Sequence, residues 1–492
     1  MTSLWLDGYS PALSDSPSLR RDFDAVVVGA GITGLATAVQ LARRGQDVAV
    51  LEARFAGAVT TGRSSAKVSI LQGTRLSQIA RHHPDSLVTA YALSAVEGQA
   101  WLLDFCRTAG VAIESEPAVT YAGSPDGAAA AMAEYAVARR IGLDVEWRSS
   151  AGLPFATFGA VVMQDQFQLD PMELVGALVA ELRALGGVLI EGVTATGVGA
   201  SSGTLHSSLG DFRGDAIVVA TGTPFLDRGL YFAKTEARRS YVQAFEFDDE
   251  LDADLGVRGM FLSSDEPTRS LRTAEHAGRR YLLVGGNGHV VGRHPSPALA
   301  QADLEHWTYR HFPGAKRTHA WSAQDYSSDD QIPFIGRMPR GRGRVWFATG
   351  FDKWGMTNGP AAAQRITAEI LGDELPRWVR VIGRRMTVPA DIGQGVVAGI
   401  GVARSAIAGW VGAESRMAEL PPEGQGAVSR GAIATSTVGG VTCSLSAVCP
   451  HLGGVVTWND SERSWDCPLH GSRFAATGER LEGPAVRGLA QA

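Results

Sequence analysis

The chain has 492 residues, 45 Lys+Arg against 51 Asp+Glu for a net charge of −6, and four Cys. Hydrophobic residues at 45% and charged residues at 20% describe an ordinary globular protein, which excludes disorder and collagen-like repeats. The negative balance, with no Lys/Arg run, argues against a nucleic-acid partner, and so few Cys cannot form a secreted disulfide scaffold.

Residues 1–22 form a lead segment that contains Asp7, Asp15 and Asp22 but no apolar run of signal-peptide length, so a cytoplasmic location is expected. The stretch 24–28 reads as a buried strand that turns on glycines and enters a helical pattern through Arg44. A second strand at 46–52 completes a βαβ unit. Gly29-Ala30-Gly31-Ile-Thr-Gly34 is the G-x-G-x-x-G pattern. Gly29 allows a tight turn, Gly31 lets a pyrophosphate approach the backbone, and Gly34 permits close helix–strand packing. The helix N-terminus adds free N–H groups for the phosphates. Glu52, at the end of the second strand, is placed to accept from ribose hydroxyls and would repel a 2′-phosphate, so NADP is disfavoured. This motif alone does not separate FAD from NAD.

A helix is expected from Asp170-Pro171, with Met172, Leu174, Leu178, Leu182 and Leu185 at helical spacing, followed by short strands at 188–190, 204–207 and 216–220. The middle of the chain mixes helices with β-rich segments such as 281–284 and reads as a second domain inserted into the first. Residues 345–350 and a helix from about 360 to 371 return the chain to the first domain. Residues 373–414 read as a linker. Its apolar stretch at 392–412 is interrupted by Arg404 and is too short for a span, so no integral membrane association is expected.

Two half-sites stand near the end: Cys449-Pro-His451-Leu-Gly-Gly454 and Cys467-Pro-Leu-His470-Gly-Ser472. One Cys and one His from each of two loops meet the need of a Rieske [2Fe–2S] centre, which takes two thiolates on one iron and two imidazoles on the other. Zinc is the chemical alternative, although its usual C-x₂₋₄-C or H-x₃₋₅-H pairs are absent.

Residues 415–492 resemble Rieske domains closely, through these loops and through Trp458-Asn-Asp, Ser464-Trp-Asp-Cys467 and Gly483-Pro-Ala. The resemblance implies Cys449, His451, Cys467 and His470 as the cluster ligands. It also implies Ser472 as a hydrogen-bond partner of a cluster sulfide. Respiratory Rieske proteins carry one more Cys in each loop. Gly454 and Leu469 stand at those positions, so that bridge cannot form, and Cys443 and Cys106 read as small packing residues.

Residues 20–372 resemble D-amino-acid-oxidase/glycine-oxidase-like flavoproteins. The resemblance rests on the N-terminal fingerprint, the loop Thr60-Thr61-Gly62-Arg63-Ser64-Ser65-Ala66-Lys67, the run from Asp215 to Gly222, Trp321, the run from Ile332 to Gly336, and the run from Ala348 to Pro360. It implies noncovalent FAD, with Gly29, Ala30, Gly31, Gly34 and Glu52 on the ADP half. Thr60, Thr61, Thr221, Gly222, Gly350, Gly355 and Met356 would then lie along the cofactor. Two of the four Lys, Lys67 and Lys353, fall in flavin-side loops and are the candidate catalytic residues, as cations that stabilise charge on the reduced ring; a solvated loop charge is the alternative for each.

The fold expected is an α/β Rossmann-type FAD-binding domain (23–74, 166–224, 337–372) with an inserted α+β substrate domain (75–165, 225–336). A linker (373–414) and a small all-β Rieske domain (415–492) complete it. The order resembles that of bacterial FAD/Rieske fusion oxidoreductases. It implies oxidation of a C–N bond in an amine or amino-acid-like substrate, with electrons passing from flavin through the cluster to a possible electron carrier. Electron flow in the opposite direction, an electron-transfer module without its own amine oxidation, and an O₂-using oxidase with a structural cluster are the alternatives. His289 and His294 have a spacing usable by mononuclear iron but read as a loop pair. The acidic run Glu246, Asp248, Asp249, Glu250, Asp252 and Asp254 reads as a solvated loop. Arg269 and Arg272 are candidates to clamp a substrate carboxylate, although surface Arg is the base case in so Arg-rich a chain.

Overall fold

The computed structural model describes residues 2–11, 14–15, 21–247, 255–383, 410 and 420–492. Its first sheet is built on the strand Asp22–Val28, which pairs in parallel with Val48–Leu51 on one side and with Gly210–Val219 on the other. Val188–Ile190 and Val345–Thr349 extend the parallel order outward, and Phe334–Arg337 closes one edge antiparallel. Strand Asp22–Val28 therefore lies at the topological switch point, where ligands of such sheets bind beyond the carboxyl ends of the strands. Its buried run Ala25-Val-Val-Val28 is the unbroken apolar pattern of a strand covered on both faces.

Helices Ile32–Arg43, Pro171–Ala184 and Gly355–Leu371 pack on this sheet. Asp170 caps the second of them, accepting from Met172 N at 2.7 Å. The last helix begins five residues earlier than its apolar spacing suggested, because Pro360 sits within it. The expected short strands at 188–190 and 204–207 form with those bounds.

The second, nine-stranded sheet runs in the order Lys316–Ser328, Thr235–Glu246, Arg279–Val290, Arg269–His276, Met260–Ser263, Ile113–Tyr121, Ala160–Leu169 and Lys67–Val68. Glu146–Arg148 is added on Ala160–Leu169. The edges of the expected partition shift accordingly. Lys67–Val68 and the whole of Ala160–Leu169 pair in this second sheet, while Phe334–Arg337 pairs in the first. Within the expected linker, Arg377–Ile382 forms a helix that buries Trp378. Linker residues 384–414, including the apolar stretch at 392–412, lie outside the described residues apart from Trp410. No helix among the described residues is long and apolar enough to cross a membrane. The lead segment also packs: Trp5 is buried and donates to Ser64 O at 2.8 Å.

The C-terminal unit contains two small antiparallel sheets, Gly426–Ser429 with Ile433–Val438 and Val441–Ser446, and Thr457–Asn459 with Ser464–Asp466, Arg473–Ala475 and Arg480–Glu482. Its core comprises Ala434, Leu445, Val456, Trp465 and Phe474, together with Cys449 and Cys467. This unit is docked on the other two sheets with little clearance. A Cβ on Gly292 would lie 2.8 Å from Pro468 N, and one on Gly471 would lie 2.4 Å from Ala237 Cβ.

Six charged groups meet at this seam, five of them with side chains less than a tenth exposed and Arg63 partly buried. Arg239 pairs with Glu462 at 2.8 Å and Glu482 at 3.6 Å, Arg63 reaches Glu462 at 3.6 Å, and Arg473 binds Glu462, Glu482 and Asp466. Burial alone would raise the Glu462 pKa, but Arg473, Arg239 and Arg63 outweigh it and hold the carboxyl down at about 2. A carboxyl depressed on folding stabilises the folded state above its unfolded pKa, and that contribution is lost as pH falls through the folded value. Stability should therefore fall between about pH 4.5 and pH 2 by on the order of 3 kcal/mol. Thermal melts at stepped pH will show this loss in the wild type. Glu462→Gln, which cannot titrate, should have a flatter profile.

Candidate functional site

A cavity opens at the carboxyl ends of the parallel strands. Gly29, Gly31 and Ile32 line it after the first strand, Glu52 to Arg54 after the second, and Thr221 to Thr223 after Gly210–Val219. Gly29 has φ 101°, and a Cβ there would meet Ala220 O at 2.5 Å. A Cβ on Gly34 would lie 1.9 Å from Gly29 O, so only glycine lets the helix approach the turn. Ala30 N and Arg54 N donate to the two Glu52 carboxylate oxygens at 2.8 and 2.9 Å. Burial raises the Glu52 pKa, and these two donors oppose it. The result is a carboxylate fixed at the strand end beside a glycine turn and a helix N-terminus, a donor and acceptor set that fits the ribose and diphosphate of a dinucleotide.

Of the residues expected along the cofactor, Gly29, Gly31, Glu52, Thr60, Thr61, Thr221, Gly222 and Gly355 line the cavity. Ala30 and Gly34 act behind it, through Glu52 and through helix packing. Gly350 takes φ 84° beside Ser328, and Met356 is buried in the core at the start of its helix. Thr61 Oγ1 accepts from Ile32 N at 3.1 Å, and Thr60 Oγ1 donates to Gln324 O at 2.7 Å.

The two candidate lysines separate. Neither Lys67 nor Lys353 is among the residues that line the cavity. Lys67 is buried in the second sheet, where Nζ donates to Phe261 O and Ser270 Oγ, both at 2.6 Å, and burial and Arg272 push its pKa well down. Lys353 is held in a loop at positive φ (74°), after Asp352 at 44°. Its backbone N donates to Asp325 at 2.6 Å, and Asp352 is anchored to Arg75 at 2.6 Å. Among the described residues its Nζ has no hydrogen-bond or ion-pair partner. A Cβ on Gly288 would lie 3.2 Å from Nζ and 2.8 Å from the buried, unpartnered Ser240 Oγ. Lys353 is exposed, and the neighbouring Asp352 carboxylate favours its protonated form. Two successive non-glycine residues at positive φ mark backbone held in an unfavourable region by its anchors.

The Cys/His loops meet at the docked tip of the C-terminal unit. His451 and His470 lie with ring centroids 5.1 Å apart, and both pack edge-on against Phe232. His451 Nδ1 is buried without a partner, while its Nε2 reaches Asp227 Oδ1 at 3.3 Å. Burial and the neighbouring His451 push His470 down to about 4, so it is neutral, the form that ligates metal. Cys449 and Cys467 are buried and hydrogen-bond one another. Among the described residues no three His, Cys, Asp or Glu side chains converge on one point. A [2Fe–2S] centre asks for two thiolates at one iron and two imidazoles at the other, and this is the pattern that the four side chains form. Ser472 Oγ hydrogen-bonds Cys449 and accepts from Ala485 N at 3.0 Å. Where a loop-to-loop bridge would stand, a Cβ on Gly454 would meet Leu469 Cδ1 at 2.6 Å, so glycine and leucine pack in its place.

Other sequence candidates have structural partners. His289 is tied to Tyr241 Oη at 2.9 Å and Val290 O at 3.0 Å. Arg272 donates to the carbonyls of Ser65, Leu169 and Thr273, and Arg269 pairs with Asp303 at 2.8 Å. Neither arginine is free to clamp a carboxylate. Cys106 is a core residue whose thiol burial pushes up to about 12, whereas Cys443 is only half-buried on its strand. The acidic run from Asp248 to Asp254 lies outside the described residues, and Glu246 pairs with Arg279.

Sequence reasoning missed Gln324, Tyr326 and the segment Arg480 to Val486, all of which line the dinucleotide cavity. Gln324 Nε2 donates to Gly471 O of the cluster loop at 2.8 Å, and Tyr326 Oη donates to Gly483 O at 3.3 Å. No local pattern marks these residues. The contacts exist only because the two units dock.

A switch-point cavity with a glycine turn, beside a docked Cys₂His₂ tip, defines a dinucleotide-binding protein with a candidate iron–sulfur unit. The FAD-dependent oxidoreductase family model (DAO) matches residues 24–369 and the Rieske [2Fe-2S] domain model matches 416–492. The chain belongs to the DAO family of FAD-dependent oxidoreductases, carries a Rieske domain, and has FAD and a [2Fe–2S] cluster as cofactors. It is 29% identical over 497 residues to the Rieske 2Fe-2S iron-sulfur protein YhfW of Bacillus subtilis, covering 98% of this chain and 96% of that one. A 45-residue segment is 56% identical to the cytochrome b6-f complex iron-sulfur subunit of a Synechococcus species, covering 9% of this chain and 26% of that one. Among solved structures, glycine oxidase from Geobacillus kaustophilus matches with TM-score 0.61 at 18% identity, over 74% of this chain and all (100%) of that one. L-proline dehydrogenase from P. horikoshii matches with TM-score 0.60 at 16% identity, over 73% and 96%.

The Asp227 contact generates a prediction. A carboxylate that accepts from a ligand imidazole makes it more basic and favours the oxidised centre. Asp227→Asn should therefore raise the cluster midpoint potential, by on the order of 40 mV if the half-exposed contact contributes about 1 kcal/mol. A redox titration followed by the visible spectrum of the cluster measures this shift.

Proposed function

We propose that the protein oxidises a C–N bond in an amine or amino-acid-like small molecule and passes the electrons within one chain from the FAD site to the Rieske centre, then to an electron carrier, in the cytoplasm. The observation that carries this reading is the contact between the two sites. Gln324 lines the dinucleotide cavity, accepts at its backbone O from Thr60, and binds Gly471 O beside His470 through its side chain. Tyr326 makes a second crossing to Gly483. The Gln324 bond joins the cavity wall directly to a Cys/His loop. The Tyr326 bond joins it to the segment whose Ala485 N donates to Ser472 of that loop, and such close contacts favour short-range electron transfer. Glycine-oxidase and proline-dehydrogenase neighbours share the fold of the flavin part and support an amino-acid-like substrate class.

When bound, FAD accepts the electron pair of the oxidation and the [2Fe–2S] centre relays electrons singly. The roles assigned to the chain's own residues follow. Gly29, Gly31 and Glu52 hold the ADP half with support from Ala30 and Gly34. Thr60, Thr61, Thr221, Gly222 and Gly355 line the rest of the cofactor's path, backed by Gly350 and Met356. Cys449 and Cys467 hold one iron, and His451 and His470 hold the other. Lys353, fixed by two anchored neighbours and with an unpartnered ammonium, supplies positive charge at the reacting side. Lys67 is a structural residue of the second sheet, its amine held by Phe261 O and Ser270 Oγ.

Anaerobic mixing with a panel of amines and amino acids tests the route. The expected result is bleaching of the flavin band followed by loss of the oxidised-cluster absorbance. Flavin bleaching with a cluster that stays oxidised, with stoichiometric peroxide once O₂ is admitted, would show an oxidase instead. In the same assay Lys353→Met should slow flavin reduction about 100-fold or more, the scale of losing a preorganised charge stabiliser, with flavin and cluster content unchanged.

A further inference from the structure

The C-terminal unit does more than present a cluster: it forms one wall of the dinucleotide cavity. The segment from Arg480 to Val486 lines the cavity together with Glu52, Arg54 and Thr194. Arg480 is carried there on strand Arg480–Glu482, and its Nη2 donates to Thr194 Oγ1 of the flavin part at 3.0 Å. Among the described residues this guanidinium has no carboxylate within ion-pair distance. A partly buried guanidinium without an anion is poorly compensated, and its fork geometry suits a phosphate or vicinal oxygens. Burial lowers the Arg480 pKa, while Glu52 pulls it up and Arg54 opposes. Arg480 thus stands among the charges that surround the ribose end of the cavity.

The placement of this wall is set from both sides. Glu482 belongs to the buried ion network, Gly483 O accepts from Tyr326, and Ala485 N donates to Ser472 in the cluster loop. The same contacts that dock the cluster therefore position the wall.

We propose that the Rieske domain completes the FAD site: Arg480 is a cofactor-binding residue for the ribose–diphosphate portion of FAD, and the segment 480–486 closes the cavity over it. The inference rests on the assignment of this cavity to FAD made above.

The test uses the full-length protein loaded with both cofactors. Free-flavin fluorescence on serial dilution gives the FAD dissociation constant, and the visible cluster spectrum is read in the same samples. Arg480→Met should weaken FAD binding about tenfold or more with the cluster spectrum unchanged, and Arg480→Lys should fall between Met and wild type because it keeps the charge without the fork. If Arg480→Met does not fold, Thr194→Val, which removes the guanidinium's anchor from the flavin side, should weaken FAD binding in the same direction. Wild-type affinity in Arg480→Met, or in Thr194→Val where the first variant fails, overturns the inference and leaves the cavity assignment standing. A Gly29→Val variant of the full-length protein that keeps wild-type FAD affinity overturns the cavity assignment, and the inference with it.

Discussion

Three guanidinium groups, Arg63, Arg239 and Arg473, and three carboxylates, Glu462, Glu482 and Asp466, come together where the Rieske unit meets the flavin part. Burying such charges is costly unless each is paired, and the Coulomb gain does not always exceed the desolvation cost. The value of such a network lies in placement. Any rotation or slide of one unit leaves a guanidinium or a carboxylate without its partner, and removing one partner of a buried pair costs about 3–5 kcal/mol. Docking is thereby confined to one arrangement, and every crossing contact between the two sites depends on it.

In that arrangement the imidazole edges of the Rieske tip face protein. His470 is 9% exposed, and both rings meet Phe232. The cluster loop touches Gln324, the hairpin touches Tyr326, and both of those residues look into the dinucleotide cavity. The dinucleotide-type cavity and the Cys/His tip are thus neighbours by construction, and each unit supplies part of the other's surroundings: Asp227 reaches from the flavin part to His451, and Arg480 reaches back to Thr194.

The sequence made the chemistry of each site legible because that chemistry is local. Gly29, Gly31, Gly34 and Glu52 signal a dinucleotide site through spacing within one βαβ unit, and Cys449, His451, Cys467 and His470 lie within two short loops. The sheet that holds Lys67 was not legible, since a two-residue strand has no period to read. Its loop neighbourhood suggested a flavin contact, whereas Phe261 and Ser270, far along the chain, hold its ammonium. Arg269 and Arg272 looked available for a carboxylate until pairing across strands gave them Asp303 and a set of carbonyls. Gln324, Tyr326 and Arg480 were illegible for the same reason. Their roles come from a docking surface between two units that sequence patterns describe one at a time.

Gly292 and Gly471 give that surface a further property. Each sits where even a methyl group would overlap the opposite unit, Gly292 against Pro468 and Gly471 against Ala237. Neither position tolerates a change made on one side alone, so the halves of this chain are matched parts. A Rieske domain transplanted from another protein would bring the right iron ligands, yet would fit here only if its own loop were equally bare at the point of contact. In this chain the two modules form a single mated pair.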